Sequence, residues 1–399
     1  MALQELKKGI YSVGAKDWDR RIFDELIPLP DGTSYNSYLI KGEKKTALID
    51  TVDPEKKDEL FTNLQKLKIE KIDYIIANHA EQDHSGSIPE LLAKYPDARV
   101  VTNQKCKLFL KDLLYIQEKK FLVIKDGETL SLGDKTLEFI FTPWVHWPET
   151  MATYLREDKV LFSCDFFGSH FATSNLFVKD IPKVIEDAKR YYAEIMMPFR
   201  IPIRKNIEKI EAIDFEIIAP SHGPVYDKPE IIINAYKGWI SDRVENEVVL
   251  PYVSMHGSTE RMVSFFIDVL IEKGIKVRPF NLIKTDLGQL ATALVDAATV
   301  VIATPTVLAG PHPAAVYAVS ILNALKPKTK FASVIGSYGW GGRTVEIIKA
   351  NLINLKLEFL LPVLIKGFPK EDDFLLLEKL AEEIYLKHNE IINQRGGLQ

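Results

Sequence analysis

His79-Ala80-Glu81-Gln82-Asp83-His84 follows the apolar pattern Ile72-Asp73-Tyr74-Ile75-Ile76-Ala77, which is typical of a buried β-strand. Two imidazoles and two carboxylates within six residues are unfavourable beside an apolar core unless a cation compensates them. One metal ion cannot easily take all four ligands from so short a loop. The stretch therefore predicts a site for two metal ions at the end of a buried strand.

Three further ligand-type residues also follow predicted strands. They are His146, Asp165 and His222, and the strands before them span Thr136–Phe141, Val160–Cys164 and Phe215–Ala219. Loops at one edge of a sheet can converge, so we expect four histidines and three carboxylates to meet in one site. The spacing alone does not assign any ligand to a particular ion.

The composition is that of a globular protein with more than one domain. The 399 residues suggest about two to three domains, and the apolar and charged fractions are 46% and 27%. A net charge of −4 without a basic tract argues against nucleic acid as a partner. No apolar run approaches the roughly 20 residues of a membrane span, and the first residues do not resemble a signal peptide. With only two cysteines, we expect a cytoplasmic protein without membrane association.

The two halves of the chain differ in their pattern. Up to about residue 247, short strands closed by turns are separated by helices, which predicts the paired mixed sheets of an α+β domain. From residue 248, five apolar strands alternate with helices, which predicts a doubly wound α/β domain with helices on both faces of a parallel sheet. We therefore expect domains at residues 1–247 and 248–399.

A hydroxyl-rich turn joins the first strand and the first helix of the second half. It reads Ser254-Met255-His256-Gly257-Ser258-Thr259, and its backbone N–H groups and hydroxyls could bind a phosphate. The turn is neither a Walker loop nor a dinucleotide-binding glycine turn. It suits the monoester phosphate of a mononucleotide, and helix capping alone is the alternative.

Two more loops are predicted at the same edge of this sheet, where open α/β sheets bind ligands. The first contains Pro305 and Thr306, and the second reads Ser337-Tyr338-Gly339-Trp340-Gly341. Tyr338 and Trp340 offer flat faces to an aromatic ring, and the glycines let the backbone approach it. Together the three loops resemble those of flavodoxins, which implies FMN as the ligand.

The first half resembles the metallo-β-lactamase superfamily, whose signature is His-x-His-x-Asp-His followed by later His, Asp and His ligands. Glu81 stands where the second histidine of that signature would be. Histidine-rich sets suit zinc, whereas mixed sets of histidines and carboxylates tolerate iron and manganese and let the metal change valence. The resemblance implies the following division of ligands: His79, Glu81 and His146 on one ion, Asp83, His84 and His222 on the other, and Asp165 as the bridge.

The remaining histidines and Cys164 have ordinary interpretations. His170 follows the last predicted carboxylate ligand, and it either orients the site from outside the ligand set or is a loop histidine. His256 belongs to the phosphate turn, His312 to a loop and His388 to a solvated helix. Cys164 is expected to be a packing residue.

The combination of the two halves resembles the flavodiiron protein family. The phrases His146-Trp147-Pro148-Glu149-Thr150-Met151 and Arg190-Tyr191-Tyr192-Ala193-Glu194-Ile195-Met196 are similar to motifs of that family. The resemblance covers essentially the whole chain. It implies an αββα sandwich followed by a flavodoxin-like doubly wound sheet of five parallel strands, with two iron ions and FMN as cofactors.

The same resemblance implies an oxidoreductase that reduces dioxygen to water, nitric oxide to nitrous oxide, or both. It also implies a head-to-tail homodimer or homotetramer, in which the FMN of one subunit lies beside the iron of another. Two cysteines are too few for a built-in rubredoxin module, which needs four. Rubredoxin or a rubredoxin-like carrier is therefore the expected electron donor.

Two other functions stay open from the sequence. A hydrolase of the metallo-β-lactamase type, with an appended flavodoxin-like domain, would use the metals to generate hydroxide, and Glu81 argues against it. An electron carrier of the flavodoxin type would leave the metal ligands unexplained. The sequence does not rank dioxygen against nitric oxide, and it does not decide whether His84 reaches its ion.

Overall fold

A computed structural model of the chain describes the backbone of residues 3–396 and the side chains of residues 3–391. Its contacts define two compact units. The first comprises the residues up to Tyr191 together with Phe199–Ile240, and the second comprises Tyr192–Pro198 together with the residues from Ser241 onward. The domain boundary predicted after residue 247 falls within a strand, Glu245–Tyr252, and it stays a prediction.

The first unit is built from strands and short helices in alternation. Its strands are β1 (Gln4–Lys7), β2 (Ile10–Ser12), β3 (Ala15–Asp17), β4 (Ile22–Phe23), β5 (Ile27–Pro28), β6 (Thr33–Tyr35), β7 (Tyr38–Lys41), β8 (Thr46–Ile49), β9 (Tyr74–Ile76), β10 (Arg99–Asn103), β11 (Phe121–Ile124), β12 (Thr129–Ser131), β13 (Thr136–Phe141), β14 (Met151–Leu155), β15 (Val160–Cys164) and β16 (Ile217–Pro220). Its helices are α1 (Lys57–Lys66), α2 (Gln82–Ser85), α3 (Ile88–Lys94), α4 (Gln104–Leu114), α5 (Ile181–Tyr191), α6 (Arg200–Glu211) and α7 (Pro229–Ile240).

Twelve of these strands form two mixed sheets that pack face to face, and the other four form the two-stranded pairs β3-β6 and β4-β5. One sheet has the order β1-β2-β7-β8-β9-β10-β11, and the other has the order β12-β13-β14-β15-β16. Apolar side chains of both sheets, such as Ile76 and Phe162, share one buried cluster. A second cluster joins the seven-stranded sheet to α1, α3 and α4 through Leu60, Leu91 and Leu110. The predicted sandwich of mixed sheets is confirmed.

The second unit alternates strands and helices more regularly. Its strands are β17 (Glu245–Tyr252), β18 (Lys276–Asn281), β19 (Ala297–Ala303), β20 (Thr306–Val307), β21 (Gly310–Pro311), β22 (Phe331–Tyr338), β23 (Glu358–Phe359) and β24 (Val363–Lys366). Its helices are α8 (Ser258–Glu272), α9 (Leu287–Leu294), α10 (Pro313–Leu325), α11 (Thr344–Asn351) and α12 (Glu371–Gly396).

The central sheet of the second unit is parallel and doubly wound. Its order is β18-β17-β19-β22, and both β23 and β24 pair with β22 at the far edge. Helices α8 and α12 pack on one face and α9, α10 and α11 on the other. This is the strand order of flavodoxin-like folds, with the fifth position divided at Leu360–Pro362. Pro362 has no N–H to donate to the ladder. Among the described residues, no helix is long and apolar enough to span a bilayer.

Candidate functional site

The loop after β9 carries the first candidate ligands and is held by buried hydrogen bonds. The carboxylate of Asp50 accepts from the backbone N–H and from the side-chain amide of Asn78, both at 2.8 Å. The hydroxyl of Ser85 donates to the carbonyl of Ala80 at 2.6 Å. These bonds shape the turn that leads from the strand into the short helix α2, which contains Asp83 and His84.

The structure brings His79, Glu81 and His146 together in a first group. Nε2 of His79 and Nε2 of His146 each lie 3.0 Å from Oε2 of Glu81. The same two nitrogens lie 3.7 and 3.5 Å from Oδ2 of Asp165. Their ligand atoms lie close enough together to hold one metal ion.

Asp83, His84 and His222 form a second group beside the first. Nε2 of His222 lies 3.2 Å from Oδ2 of Asp83 and 3.2 Å from Oδ1 of Asp165. Nε2 of His84 lies 3.1 Å from Oδ1 of Asp165, so His84 points into the site. Asp165 therefore turns one oxygen to each group, which is the arrangement of a bridging ligand.

The carboxylates raise the proton affinity of the histidines in both groups. Burial by itself lowers the pKa of these imidazoles, and the carboxylates overcome that effect. Close contacts with the carboxylates of Asp165 and Glu81 raise the pKa of His146 to about 9, and close contacts with those of Asp165 and Asp83 raise that of His222 to about 10. Burial opposes ionisation of Asp165, yet the surrounding histidines hold its pKa well below the usual range. The carboxylates of the cluster thus stabilise positive charge between the two groups.

Several buried polar atoms of the cluster lack a hydrogen-bond partner. They are both carboxylate oxygens of Asp83, both ring nitrogens of His84 and Oδ2 of Asp165. Buried polar atoms without partners are costly, and a cation between the two groups would satisfy those that point inward. The donor set of imidazoles and carboxylates fits two iron ions.

The three loops that are predicted to bind a phosphate and an aromatic ring line a cleft of about 190 Å³ in the second unit. It lies at the carboxyl ends of β17, β19 and β22 and is lined by Ser254, Met255, His256, Ser258, Thr259, Pro305, Thr306, Ser337, Tyr338, Gly339 and Gly367. Gly257, Trp340 and Gly341, which were also predicted, do not line it, and Gly367 is an addition. The hydroxyl of Thr259 is buried without a partner, which fits an anion such as a phosphate group at the start of α8.

Comparison with known proteins finds relatives that match most of the chain. Residues 33–223 match the family model described as ODP family beta lactamase. A nitric oxide reductase of Moorella thermoacetica is 37% identical over 359 residues, which cover 88% of this chain and 90% of that protein. The structure of rubredoxin oxygen:oxidoreductase from Desulfovibrio gigas is 29% identical with a TM-score of 0.95, over 98% of this chain and all of that one. The flavodiiron protein of Giardia intestinalis is 28% identical with a TM-score of 0.91, over 99% and 98% of the two chains.

The chain belongs to the flavodiiron protein family. The fold of a flavodiiron protein explains why both halves are present in one chain, and the similarity over nearly the whole length confirms the predicted fold class. It favours the main functional interpretation over the hydrolase and the electron carrier.

Two residues of this flavodiiron protein that the sequence alone does not single out make hydrogen bonds to its candidate ligands. Oε1 of Glu149 lies 2.6 Å from Nδ1 of His79 and also accepts from the backbone N–H of Ala80. The hydroxyl of Tyr191 donates to Oδ1 of Asp165 at 2.9 Å. Both residues are buried and lie in the motifs quoted above, but their contacts are with loops far away in sequence.

His170 is buried beside the second group. Its Nδ1 lies 2.9 Å from the hydroxyl of Thr33, and its ring contacts those of Phe23, Tyr191 and His222 at centroid distances of 4.8–5.2 Å. Burial, together with the nearby His222, lowers the pKa of His170 well below its usual value. A role for His170 in orienting the site stays a prediction.

The other histidines and Cys164 lie outside the proposed ligand set. His256 lines the cleft, and His312 caps the N-terminus of α10. The expectation that His388 is solvated is wrong, because His388 is 2% exposed. Cys164 lies near His84, and burial raises the pKa of its thiol well above the usual value, which suits a packing residue.

Proposed function

We propose that this flavodiiron protein is an oxidoreductase that reduces dioxygen to water, nitric oxide to nitrous oxide, or both. The observation that carries the proposal is the position of Glu81. Its carboxylate lies between His79 and His146 in the first group, where a hydrolase of the same superfamily would have a histidine. A carboxylate ligand favours iron and a change of valence over zinc-supported hydrolysis.

The residues that would hold the cofactors are those that the fold brings together. We propose His79, Glu81 and His146 for one iron ion, Asp83, His84 and His222 for the other, and Asp165 between them. The loops of the cleft in the second unit would hold FMN, with the phosphate at the start of α8. Two ferrous ions and reduced FMN together supply the four electrons that convert dioxygen and four protons into two molecules of water.

The protein itself contributes position, burial and charge. Glu149 and the carbonyl of Ser34 each bond Nδ1 of a histidine ligand, which leaves Nε2 free for a metal. Five of the seven proposed ligand residues are buried, which would limit the access of water to the reacting centre. For nitric oxide, two molecules would take two electrons and two protons to form nitrous oxide and water.

The donor and the assembly are part of the same proposal. An external rubredoxin-like carrier would deliver electrons, since the similar protein from Desulfovibrio gigas is named for rubredoxin and oxygen. We propose a head-to-tail homodimer or homotetramer in the cytoplasm, with domains at residues 1–247 and 248–399. A dimer of this kind would contain two equivalent active sites.

The decisive experiment is a reaction of the reduced protein with each gas. The purified protein, with its iron and FMN contents measured, is reduced anaerobically and mixed with dioxygen or with nitric oxide. Flavin reoxidation is followed by absorbance and gas consumption by an electrode. We expect consumption of at least one gas, in proportion to the iron content.

Three outcomes would separate the possible functions. Iron-dependent consumption of either gas supports the proposal, and the faster gas identifies the preferred substrate. Flavin reoxidation that is independent of iron would indicate an electron carrier. A zinc-loaded protein that consumes neither gas and hydrolyses a thioester would contradict the proposal in favour of the hydrolase.

A further inference from the structure

Asn36, which is not among the proposed ligands, holds the loop that carries His222. The Asn36 side chain is 4% exposed, and its Nδ2 donates to the carbonyl oxygens of Pro220 at 2.9 Å and of Gly223 at 2.7 Å. The backbone N–H of Asn36 donates to the carbonyl of Ser221 at 2.7 Å. Hydrogen bonds from one residue therefore bracket His222 on both sides.

Ser34 binds the same loop from its position on β6. Its carbonyl accepts from Nδ1 of His222 at 2.6 Å, and its hydroxyl oxygen accepts from the N–H of Gly223 at 2.8 Å. Because Nδ1 of His222 carries the proton, Nε2 is the nitrogen left for a metal. That Nε2 lies 3.2 Å from Asp83 and from Asp165.

Lys16 fixes the orientation of the Asn36 amide. Lys16 lies on β3 and is 8% exposed, and its Nζ donates to Oδ1 of Asn36 at 3.1 Å. Burial lowers the pKa of this ammonium group to about 8. Since Oδ1 is bound to a cation, Nδ2 must face the carbonyls of the loop, and a flipped amide would lose all of these bonds.

We propose that Asn36, held by Lys16, is a positioning residue for the second metal ion, because it fixes the loop from which His222 reaches that ion. The inference rests on the proposed two-ion site. The first group has a separate support, since Glu149 bonds His79. Loss of the Asn36 amide should therefore weaken the binding of the second ion and leave the binding of the first unchanged.

The test compares two aspartate variants of buried asparagines. Asn36→Asp keeps the size and the acceptor for Lys16, but it places an oxygen against two carbonyls. Asn63→Asp is the matched control, because Asn63 is also 4% exposed and its Nδ2 also donates to two backbone carbonyls, those of Val13 and Gly14. The turn to which those two carbonyls belong carries none of the proposed metal ligands.

The readouts do not depend on activity. Iron and FMN per chain are measured after dialysis against a chelator, and the iron is examined by Mössbauer and EPR spectroscopy. We expect Asn36→Asp to bind the second ion about 10- to 100-fold more weakly and to retain about one iron per chain with full FMN. The remaining ferric ion should give the EPR signal of an isolated high-spin centre. Asn63→Asp should retain two coupled ions.

A second variant keeps the test decisive if Asn36→Asp does not fold. Lys16→Met removes a buried charge but leaves Oδ1 of Asn36 without its donor, so the two effects on stability oppose each other, while the Asn36 amide loses its anchor. We expect weaker binding of the second ion together with a melting temperature close to that of the natural protein. If Lys16 and Asn36 served only the stability of the fold, the affinity for the second ion and the melting temperature would fall together.

Three results would overturn the inference. They are two coupled ions in Asn36→Asp, equal metal loss in Asn63→Asp, and unchanged affinity for the second ion in Lys16→Met. Failure of the proposed function would look different, since the unmodified protein would then bind two ions but reduce neither gas, or would bind fewer than two.

Discussion

Asp165 is the residue at which the two groups of the metal site meet. Its Oδ2 faces His79 and His146, and its Oδ1 faces His84 and His222. One carboxylate thus faces both groups, whereas each of the other proposed ligands belongs to one group. Any change at Asp165 should disturb both ions at once, in contrast to changes at residues that support only one of them.

Glu149 is such a single-group residue. We expect Glu149→Gln to weaken binding of the ion held by His79, Glu81 and His146 by about 10- to 100-fold, because a neutral amide makes the bonded imidazole less basic than a carboxylate does. The measurement is a competitive chelator titration that resolves the two ions. The ion of the second group should keep its affinity.

Glu247→Gln is the control for this prediction. Glu247 is a buried glutamate of the second unit, where it pairs with Lys276 and Arg278. Its substitution should leave both metal affinities unchanged. A similar loss of metal in Glu247→Gln would mean that the effect of Glu149→Gln comes from general destabilisation.

The seven candidate ligands could be predicted from the sequence because their chemistry is unusual at strand ends. Glu149 and Tyr191 could not, since a buried glutamate or tyrosine becomes a support only when a distant loop meets it. The same holds for Asn36, whose partners in the His222 loop lie more than 180 residues along the chain. Sequence identifies the ligands of a site more easily than the residues that orient them.

His388 holds α12 against the parallel sheet. Its Nε2 lies 2.7 Å from the hydroxyl of Thr299 on β19, and its Nδ1 lies 2.7 Å from Oδ1 of Asn246 on β17. Oδ1 of Asn246 only accepts, so Nδ1 carries a proton. Burial lowers the pKa of the ring to about 4, so Nε2 is unprotonated at neutral pH and accepts from the hydroxyl of Thr299.

This histidine should make stability depend on pH. As the pH falls from about 6.5 to about 4, the unfolded chain binds a proton that the folded chain refuses, so stability is lost in that window. Between pH 7 and pH 4.5 we expect the natural protein to lose about 2–3 kcal/mol more than His388→Gln. Urea unfolding followed by circular dichroism at several pH values measures the difference.

His256→Gln provides the comparison, because His256 is exposed in the turn before α8. It should show the same pH dependence as the natural protein. If His388→Gln also shows the pH dependence of the natural protein, the buried imidazole does not contribute to the acid sensitivity of the fold.

Most elements of the second unit follow from apolar runs alternating with helical patterns, but one detail there does not, and neither does the point at which α5 of the first unit ends. The periodicity of residues 181–196 predicts one helix, whereas α5 ends at Tyr191 and a π-helical turn spans Tyr192–Met196. The run Glu358–Val363 predicts one strand, whereas the structure divides it into β23 and β24. Both details depend on partners elsewhere in the fold, which a local pattern does not contain.

The proposed head-to-tail dimer can be tested by combining two defective chains. Asp165→Asn removes an oxygen from the metal bridge. Ser258→Glu places a carboxylate where the FMN phosphate would bind, although a negative charge at the start of a helix suits the fold. A purified heterodimer of the two variants should have about half of the normal activity, because one of its two sites is intact.

The control is a heterodimer of one unmodified chain and one chain that carries both substitutions. A head-to-tail dimer leaves no intact site in it, so it should be inactive, whereas electron transfer within each chain would leave it half active. The two heterodimers thus give opposite results under the two arrangements. Gas consumption after anaerobic reduction is the readout for both.

Tyr192–Pro198 belongs to the second unit, although the chain on either side of it belongs to the first. The polypeptide therefore passes between the units at three points, and no single cut can release them as complete pieces. A fragment that begins at Ser241 lacks residues that pack in its own unit, including the turn against α9. Protease nicking or gene truncation at the apparent domain junction should accordingly produce an incomplete flavin half. A version of the protein that is split into two fragments therefore needs residues 192–198 to be supplied to the second unit separately.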